Sequence, residues 1–179
     1  GDQSWQTIYT PGHCLNQVVF YQPEGKQLIS ADMILRSTPV PYLDCRIDNP
    51  TERGTTLTPL LDSFKRINAL EIDHVYPGHF EIMGDPTVLI EKQTNRIKEN
   101  IQKSLEWVRC GDTTFGAIIN KLYPNRVNDS TFFMAISILD YLVEQNLIET
   151  RMINDKLEYY PTTETVNSTT PRKSANNEL

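Results

Sequence analysis

The sequence predicts a mixed α/β (α+β) fold in which helices pack on a sheet. Two observations in the first 84 residues support this prediction. Short β-rich runs stop at glycine, proline or aspartate, and an amphipathic stretch with apolar residues at intervals of three and four lies between two of these runs. The first pattern is typical of strands and the second of a helix. Because strand, loop and helix follow one another, we expect a layered arrangement.

Three strands are predicted before residue 32. The first covers residues 5–9, and Pro11-Gly12 ends it. The second and third cover residues 17–21 and 27–31, and the turn-forming residues 23–26 join them into a hairpin.

The segment from residue 34 to 56 contains prolines and a glycine among polar residues, which is too broken for a long regular element. A loop of this length in a compact domain is usually a lid or a binding loop. A helix and a short buried strand, residues 72–76, are expected to follow it. The apolar face of that helix comprises Leu57, Leu60, Leu61, Phe64 and Ile67.

A long helix is predicted to start at Asp85-Pro86, because aspartate caps free amides and proline is tolerated at the first helical position. Cys110-Gly111 is expected to end it. Its predicted apolar face comprises Ile90, Ile97, Ile101, Leu105 and Val108.

Two shorter helices and a hairpin are predicted after this long helix. Asp112 or Thr113 could cap the first, and Asp129 or Ser130 the second. The expected apolar faces are Phe115, Ile118, Ile119 and Leu122 in one helix, and Phe132, Ile136, Leu139 and Val143 in the other. The hairpin pairs residues 148–152 with 156–160. Helix, helix and hairpin is the outline of a winged-helix module, and residues 162–179 are expected to be a disordered tail.

Composition excludes some classes of function. The net charge of -6 and the pI near 5.1 disfavour binding to nucleic acid or to an anionic membrane. No apolar run approaches the roughly 20 residues of a membrane-spanning helix. Three widely spaced cysteines, Cys14, Cys45 and Cys110, indicate a reducing compartment, so we expect a cytoplasmic protein.

Three side chains that could bind a metal follow the ends of apolar runs. They are His13 in Thr-Pro-Gly-His, Asp32 in Ser-Ala-Asp, and His79 in Tyr-Pro-Gly-His. Imidazole and carboxylate together suit zinc, iron or manganese. From the residues alone, a solvated or hydrogen-bonded role is the commoner one for a loop histidine.

These motifs, with Val-Val-Phe-Tyr, Pro-Glu-Gly-Lys and Leu-Ile-Ser-Ala-Asp between them, resemble the carboxyl-terminal half of metallo-β-lactamase-fold hydrolases. They look closest to the glyoxalase II-like branch with a winged-helix extension. The resemblance implies half of an αββα sandwich in residues 1–84, and a long helix with a winged-helix module in residues 85–161. It further implies that the intact protein hydrolyses an ester or thioester, as hydroxyacylglutathione hydrolases do.

By position, the resemblance implies that His13 binds one metal ion, that His79 binds a second, and that Asp32 bridges them. Two zinc ions are expected in the intact protein, with iron or manganese as alternatives. Such families also have a His-x-His-x-Asp-His run upstream, which is absent from these 179 residues. One copy of the chain is therefore expected to hold part of the site and to be inactive alone.

Two smaller departures from the family pattern lie beside the ligands. Ala31 and Phe80 stand where the family usually has glycine, and the small Ala31 is expected to be tolerated. The loop before residue 57 would cover the mouth of the site, so Tyr42 and Arg46 are candidate contacts for a small-molecule substrate. A plain surface role is the alternative for both.

Two other classes of function remain open. Without the upstream run, the chain could be a non-catalytic interaction module with at most one weak metal site, and we expect it to form a homo-oligomer or to pair with a missing amino-terminal half. A winged-helix transcription factor is disfavoured, because no lysine or arginine lies between Arg126 and Arg151.

Overall fold

The computed structural model describes residues 3–37 and 53–162. The predicted lid residues 38–52, which include Tyr42 and Arg46, and the predicted tail residues from 163 onward lie outside this description. Every strand and helix predicted within the described ranges is present, and the bounds differ by one or two residues.

A four-stranded sheet forms the first layer, in the order β1-β2-β3-β4. Strands β1 to β3 are antiparallel neighbours, whereas β4 is parallel to β3. The strands are β1 (Gln6–Tyr9), β2 (Val18–Gln22), β3 (Gln27–Ala31) and β4 (His74–Pro77).

The two faces of this sheet have different environments. Cross-strand partners share a face, and Val19, Leu28 and Val75 lie on the face that is fully buried. Tyr9, Val18, Phe20 and Ile29 lie on the other face and are between 36% and 47% exposed. One face of the sheet therefore packs into the core, and the opposite face presents apolar side chains to solvent.

Four helices and a hairpin complete the described chain. They are α1 (Leu57–Asn68), α2 (Thr87–Arg109), α3 (Phe115–Leu122), α4 (Asp129–Glu144), β5 (Ile148–Ile153) and β6 (Lys156–Pro161). The order of α3, α4 and the β5-β6 hairpin is as predicted, and an isolated bridge joins Thr114 to Glu158 of β6. Assignment of this region as a winged-helix domain stays a prediction.

Helix α2 is the central packing element, since it contacts α1, α3, α4 and β6. One cluster of buried apolar side chains runs from Val19 in the sheet to Tyr159 in the hairpin. This cluster crosses residue 85, where the second predicted unit starts. The predicted apolar faces of α1 and α2 are buried or partly buried, as expected.

The predicted apolar face of α4 was only partly right, because Leu139 is buried, Ile136 and Val143 are partly buried, and Phe132 is exposed. Only Leu139 of the predicted set is fully buried, whereas Phe132 is 39% exposed and contacts the edge of the Phe115 ring. Apolar residues lie on most sides of this helix, so periodicity alone does not select a face. Contacts with α1, α2 and α3 decide which side is buried. The side chains buried there are Met134, Ala135, Ser137, Ile138, Leu139 and Leu142.

The predicted caps of α3 and α4 were also wrong, each by one residue. Thr114 accepts a hydrogen bond from the Ala117 N–H at 3.2 Å. Asn128 accepts one from the Thr131 N–H at 3.1 Å, and the Thr131 hydroxyl accepts one from the Asn128 N–H at 2.9 Å. In each case a neighbouring polar residue could form the same bonds, which is why sequence could not choose between them.

The segment before α1 is fixed to α4 by polar contacts. The Arg53 guanidinium donates two hydrogen bonds to the Asp140 carboxylate, at 2.8 and 2.5 Å. Thr55 and Thr58 donate to the two oxygens of Glu144. The entry to α1 is therefore held against the second half of the chain.

In residues 3–37 and 53–162, no helix combines the length and the apolar character that crossing a membrane requires.

Asp85 caps α2 as predicted, because its Oδ1 accepts hydrogen bonds from the Thr87 N–H at 2.8 Å and the Thr87 hydroxyl at 2.6 Å. These bonds, the hydroxyl's first, hold the pKa of Asp85 below its ordinary range. The stabilisation is therefore present above the unfolded-state pKa and is lost as pH falls through the folded-state value.

We predict that Asp85→Ala lowers the free energy of unfolding by about 1 kcal/mol at pH 7. The difference should shrink as the pH falls into the range where Asp85 is protonated in both states. Urea unfolding at a series of pH values measures it, and Asp85→Asn, which keeps the capping oxygen, is the control. A loss that does not depend on pH would contradict the role of the carboxylate.

Candidate functional site

The parallel pairing of β3 with β4 brings the ends of both strands to one edge of the sheet. Ala31 is paired with Pro77 at that edge, and a bulge lies between Ile29 and Ala31. The Gly78 N–H donates to the Ala31 carbonyl at 2.8 Å. Asp32, which follows β3, and His79, which follows β4, are therefore neighbours although 47 positions separate them in the sequence.

Gly78 allows this close approach. A Cβ atom on Gly78 would lie 2.5 Å from Asp32 Oδ1 and 3.2 Å from the carbonyl carbon of Ala31. Real Cβ contacts are not this short, so any other residue at position 78 would displace the carboxylate or the strand end. The glycine of Tyr-Pro-Gly-His thus has a steric reason in the site itself.

The loop that contains His13 is held against α1. The Ser63 hydroxyl in α1 donates to the Pro11 carbonyl at 2.8 Å. Gly12 has a φ of +151°, and a Cβ atom there would lie 2.5 Å from Leu60 Cα. The glycine of Thr-Pro-Gly-His therefore permits contact between the loop and the helix. This contact fixes the backbone position from which the His13 side chain extends.

The structure brings His13, Asp32 and His79 together, as the sequence predicted. His13 Nε2 lies 3.5 Å from Asp32 Oδ2, and His79 Nε2 lies 3.5 Å from Asp32 Oδ1. Each carboxylate oxygen therefore faces a different imidazole. The His79 side chain is 68% exposed and that of His13 is 16% exposed. His74, the third histidine, is exposed at the start of β4.

These distances suit metal ligands better than direct hydrogen bonds. A charge-assisted N–H···O bond is about 2.7–2.9 Å long. Two ligand atoms that share a tetrahedral zinc ion at about 2.1 Å lie about 3.4 Å apart. His13, Asp32 and His79 are therefore the described side chains that would hold metal, with imidazole nitrogens and carboxylate oxygens as the donors.

The site has only part of the usual ligand number. Among the residues that the structure describes, no group of three or more His, Cys, Asp or Glu side chains converges on one metal position. The pairwise geometry agrees with this finding, because His13 and His79 contact opposite oxygens of Asp32. Any further ligands must come from outside the described residues.

Two residues beside Asp32 and His79 have left-handed backbone conformations. Ala31 has a φ of +45° and Phe80 a φ of +72°. These are the two positions where the family pattern has glycine. For residues other than glycine, this left-handed conformation costs about 1–2 kcal/mol. The left-handed conformation gives Ala31 a cost that its small size did not indicate.

Sequence reasoning missed Arg36 and Glu81, whose side chains lie 3.3 Å apart. They follow Asp32 and His79 by four and two residues, so this ion pair joins the two segments that leave the site. Charges of opposite sign so far apart in the sequence gave no signal of contact.

A cavity of about 400 Å³ begins at the same Arg36 and was also missed. Helix α2 and the first turn of α4 form its other walls. Tyr123 lies within it, and burial raises the pKa of its phenol, although Arg96 and a hydrogen bond with Asn100 act in the opposite direction.

Comparison with known proteins adds the fold family. No protein-family model matches the chain. In sequence the chain is 23% identical over 141 residues to the "Probable metallo-hydrolase YqjP" of Bacillus subtilis (strain 168). The aligned region covers 76% of this chain and 43% of that protein. This similarity is homology to a metallo-hydrolase superfamily protein.

Two solved structures resemble the chain over most of its length. One is the metallo-β-lactamase family protein TTHA1429 from Thermus thermophilus, with a TM-score of 0.73, 21% identity, and coverage of 89% of this chain and 50% of that one. This chain has the metallo-β-lactamase fold. A β-lactamase domain protein from Burkholderia ambifaria gives a TM-score of 0.79 at 17% identity, over 90% of this chain and 48% of that one. The chain thus spans about half the length of these metallo-β-lactamase-fold proteins and of YqjP.

We predict that Gly78→Ala displaces the Asp32 carboxylate and lowers the free energy of unfolding by about 1–3 kcal/mol, the usual range for overpacking. Denaturant unfolding measures the stability, and the imidazole NMR signals of His13 and His79, but not those of His74, should shift. Gly116→Ala is the control, because nothing lies within 4 Å of its Cβ position. Equal behaviour of the two variants would contradict the steric role of Gly78.

A second prediction concerns the backbone beside Asp32. Ala31→Gly should raise the free energy of unfolding by about 0.5–1 kcal/mol, because relief of the left-handed strain exceeds the entropy that glycine adds to the unfolded chain. Ala135→Gly within α4 should instead lower it by about 1 kcal/mol or more. Thermal and denaturant unfolding of both variants measure this contrast, and a destabilised Ala31→Gly would show that no relievable strain exists there.

Proposed function

We propose that the protein containing this chain is a metal-dependent hydrolase that acts on an ester or a thioester. The observation that carries this proposal is the arrangement at Asp32, whose two oxygens each face the Nε2 atom of a different histidine at 3.5 Å. Homology to a probable metallo-hydrolase supports the same class of reaction.

In this proposal His13, Asp32 and His79 are metal ligands. Asp32 bridges two ions, His13 binds the first and His79 the second. Imidazole and carboxylate donors fit zinc, with iron or manganese as alternatives. Bound ions of this kind lower the pKa of water and polarise a carbonyl oxygen.

The chain's own residues position these ligands. The strand end and Gly78 limit where the Asp32 carboxylate can lie. The loop pressed on α1 holds His13 from one side, and β4 delivers His79 from the other. The exposed side of His79 leaves one approach to the site open for a small-molecule substrate.

The remaining ligands are proposed to come from a segment that corresponds to the unmatched half of the relatives. A catalytic zinc site usually has three protein ligands, and each ion here would receive two donors. The exposed sheet face of Tyr9, Val18, Phe20 and Ile29 is an apolar surface that such a segment would cover. Without that segment, a second copy of the chain is expected to cover the same face.

The substrate class and the compartment rest on the sequence. The motifs around the ligands resemble the hydroxyacylglutathione hydrolase branch, so a thioester is the first expectation. The odd number and wide spacing of Cys14, Cys45 and Cys110 in the sequence support a reducing, cytoplasmic environment in this proposal.

A second candidate function is a non-catalytic interaction module with at most one weak metal site. The absence of a three-donor group among the described residues favours it. The two candidates differ in what happens when the rest of the relatives' length is supplied. A hydrolase gains metal and activity, whereas an interaction module does not.

We predict that the 179-residue chain binds zinc weakly through the three proposed ligands. His13→Ala, Asp32→Asn and His79→Ala should each reduce the affinity by more than 10-fold, because losing even an outer-shell partner costs about 10–100-fold. Isothermal titration calorimetry measures this, and His74→Ala is the matched control. Zinc affinity that is unchanged in all three variants, or lost equally in His74→Ala, would refute the ligand assignment.

The activity test uses a protein that joins this chain to the segment matching the rest of the relatives. About two metal ions per chain and hydrolysis of an acyl thioester, abolished by Asp32→Asn, are expected. A folded protein of that length without bound metal would overturn the hydrolase proposal and support the interaction module.

A further inference from the structure

The cavity that begins at Arg36 has a basic lining in an acidic protein. Arg36, Lys92 and Arg96 line it, and no aspartate or glutamate is among its described lining residues. The chain as a whole has a net charge of -6. We propose that this cavity binds the phosphate groups of the substrate, so that the thioester is one with a phosphate-bearing thiol of the coenzyme A type. This inference rests on the proposed hydrolase function.

Two of the cations, Lys92 and Arg96, lie close together on α2. Lys92 and Arg96 are exposed, four residues apart on α2, and therefore on one side of that helix. In the described part of the chain neither forms an ion pair with a carboxylate. Like charges at this spacing destabilise a helix. A polyanion in the cavity would offset that cost.

A buried amide fixes one wall of the cavity. Gln93 lines the cavity and is 3% exposed. Its Nε2 donates to the Leu35 and Ser37 carbonyls at 2.8 and 3.0 Å, which fixes the orientation of the amide. Its Oε1 has no hydrogen-bond partner among the described residues. This oxygen is shielded from solvent, so the role of the Gln93 amide is to fix the segment after Asp32 against α2 at one wall of the cavity.

The first turn of α4 contributes to the same cavity. Ser130 and Thr131 line it, so the positive end of a 16-residue helix faces this region. The Thr131 N–H already donates to Asn128, whereas Ser130 brings a further hydroxyl donor to the lining. Asp129 lies in the same turn and weakens the field, but it is not among the lining residues.

The position of the cavity suits the far end of a substrate. Its Arg36 lies four residues after Asp32 and contacts Glu81, two residues after His79. A substrate with its thioester at Asp32 could thus extend its remaining groups along this segment. Glutathione fits the lining less well, because it carries less negative charge than a thiol with several phosphate groups.

The test measures binding of coenzyme A and of glutathione to the metal-free 179-residue chain by calorimetry in EDTA. We expect coenzyme A to bind at least 10-fold more tightly than glutathione. Lys92→Gln/Arg96→Gln should weaken coenzyme A binding by at least 10-fold and reduce its dependence on salt. The control Lys98→Gln/Lys103→Gln removes the same charge from exposed positions of α2 outside this cavity and should change the affinity less than 2-fold.

Circular dichroism verifies that both double variants are folded. If both double variants lose the same coenzyme A affinity, the effect comes from net charge and the proposed site is wrong. Tighter binding of glutathione than of coenzyme A would also overturn the site. Since no metal is present, this experiment can succeed where the hydrolase proposal fails. Conversely, hydrolysis of thioesters by the longer protein with an unchanged KM for an acyl-coenzyme A in Lys92→Gln/Arg96→Gln would overturn the cavity assignment alone.

Discussion

The parallel pairing of β3 with β4 is the constraint on which the candidate site depends. In an antiparallel pair the two strand ends would lie at opposite edges, and Asp32 could not approach His79. Here Ala31 and Pro77 are partners, and the Gly78 N–H bonds to the Ala31 carbonyl. A parallel connection needs a crossover, and α1 supplies it while also supporting the loop of His13. One crossover thus sets the positions of all three proposed ligands.

Much of the fold could be predicted because local patterns determine its elements. The strands stop at glycine and proline, and α1 and α2 have narrow apolar faces that leave one choice of buried side. Helix α4 has apolar residues on most sides, so its buried face depends on neighbours distant in sequence. The caps of α3 and α4 were missed for a different reason, since adjacent polar residues could form the same bonds.

Some residues of the candidate site could likewise be predicted from the sequence, and others could not. His13, Asp32 and His79 could be found because each follows a strand-like run and belongs to a recognisable motif. The Arg36–Glu81 pair and the basic cavity could not, because they arise where α2 and α4 meet the segment after Asp32. The left-handed conformations of Ala31 and Phe80 explain in physical terms why glycine suits both positions. This backbone strain lies next to the proposed ligands, and such strain is common where function constrains the backbone.

The contacts on either side of residues 38–52 have an implication for how this region can diversify. Gln93 of α2 donates hydrogen bonds to Leu35 and Ser37 before this stretch, and Asp140 of α4 accepts one from Arg53 after it. Doubling the number of residues between two fixed points costs only about 0.6 kcal/mol of closure entropy. The number of residues between the two anchors can therefore change at a small entropic cost, while Leu35, Ser37 and Arg53 keep their contacts with α2 and α4.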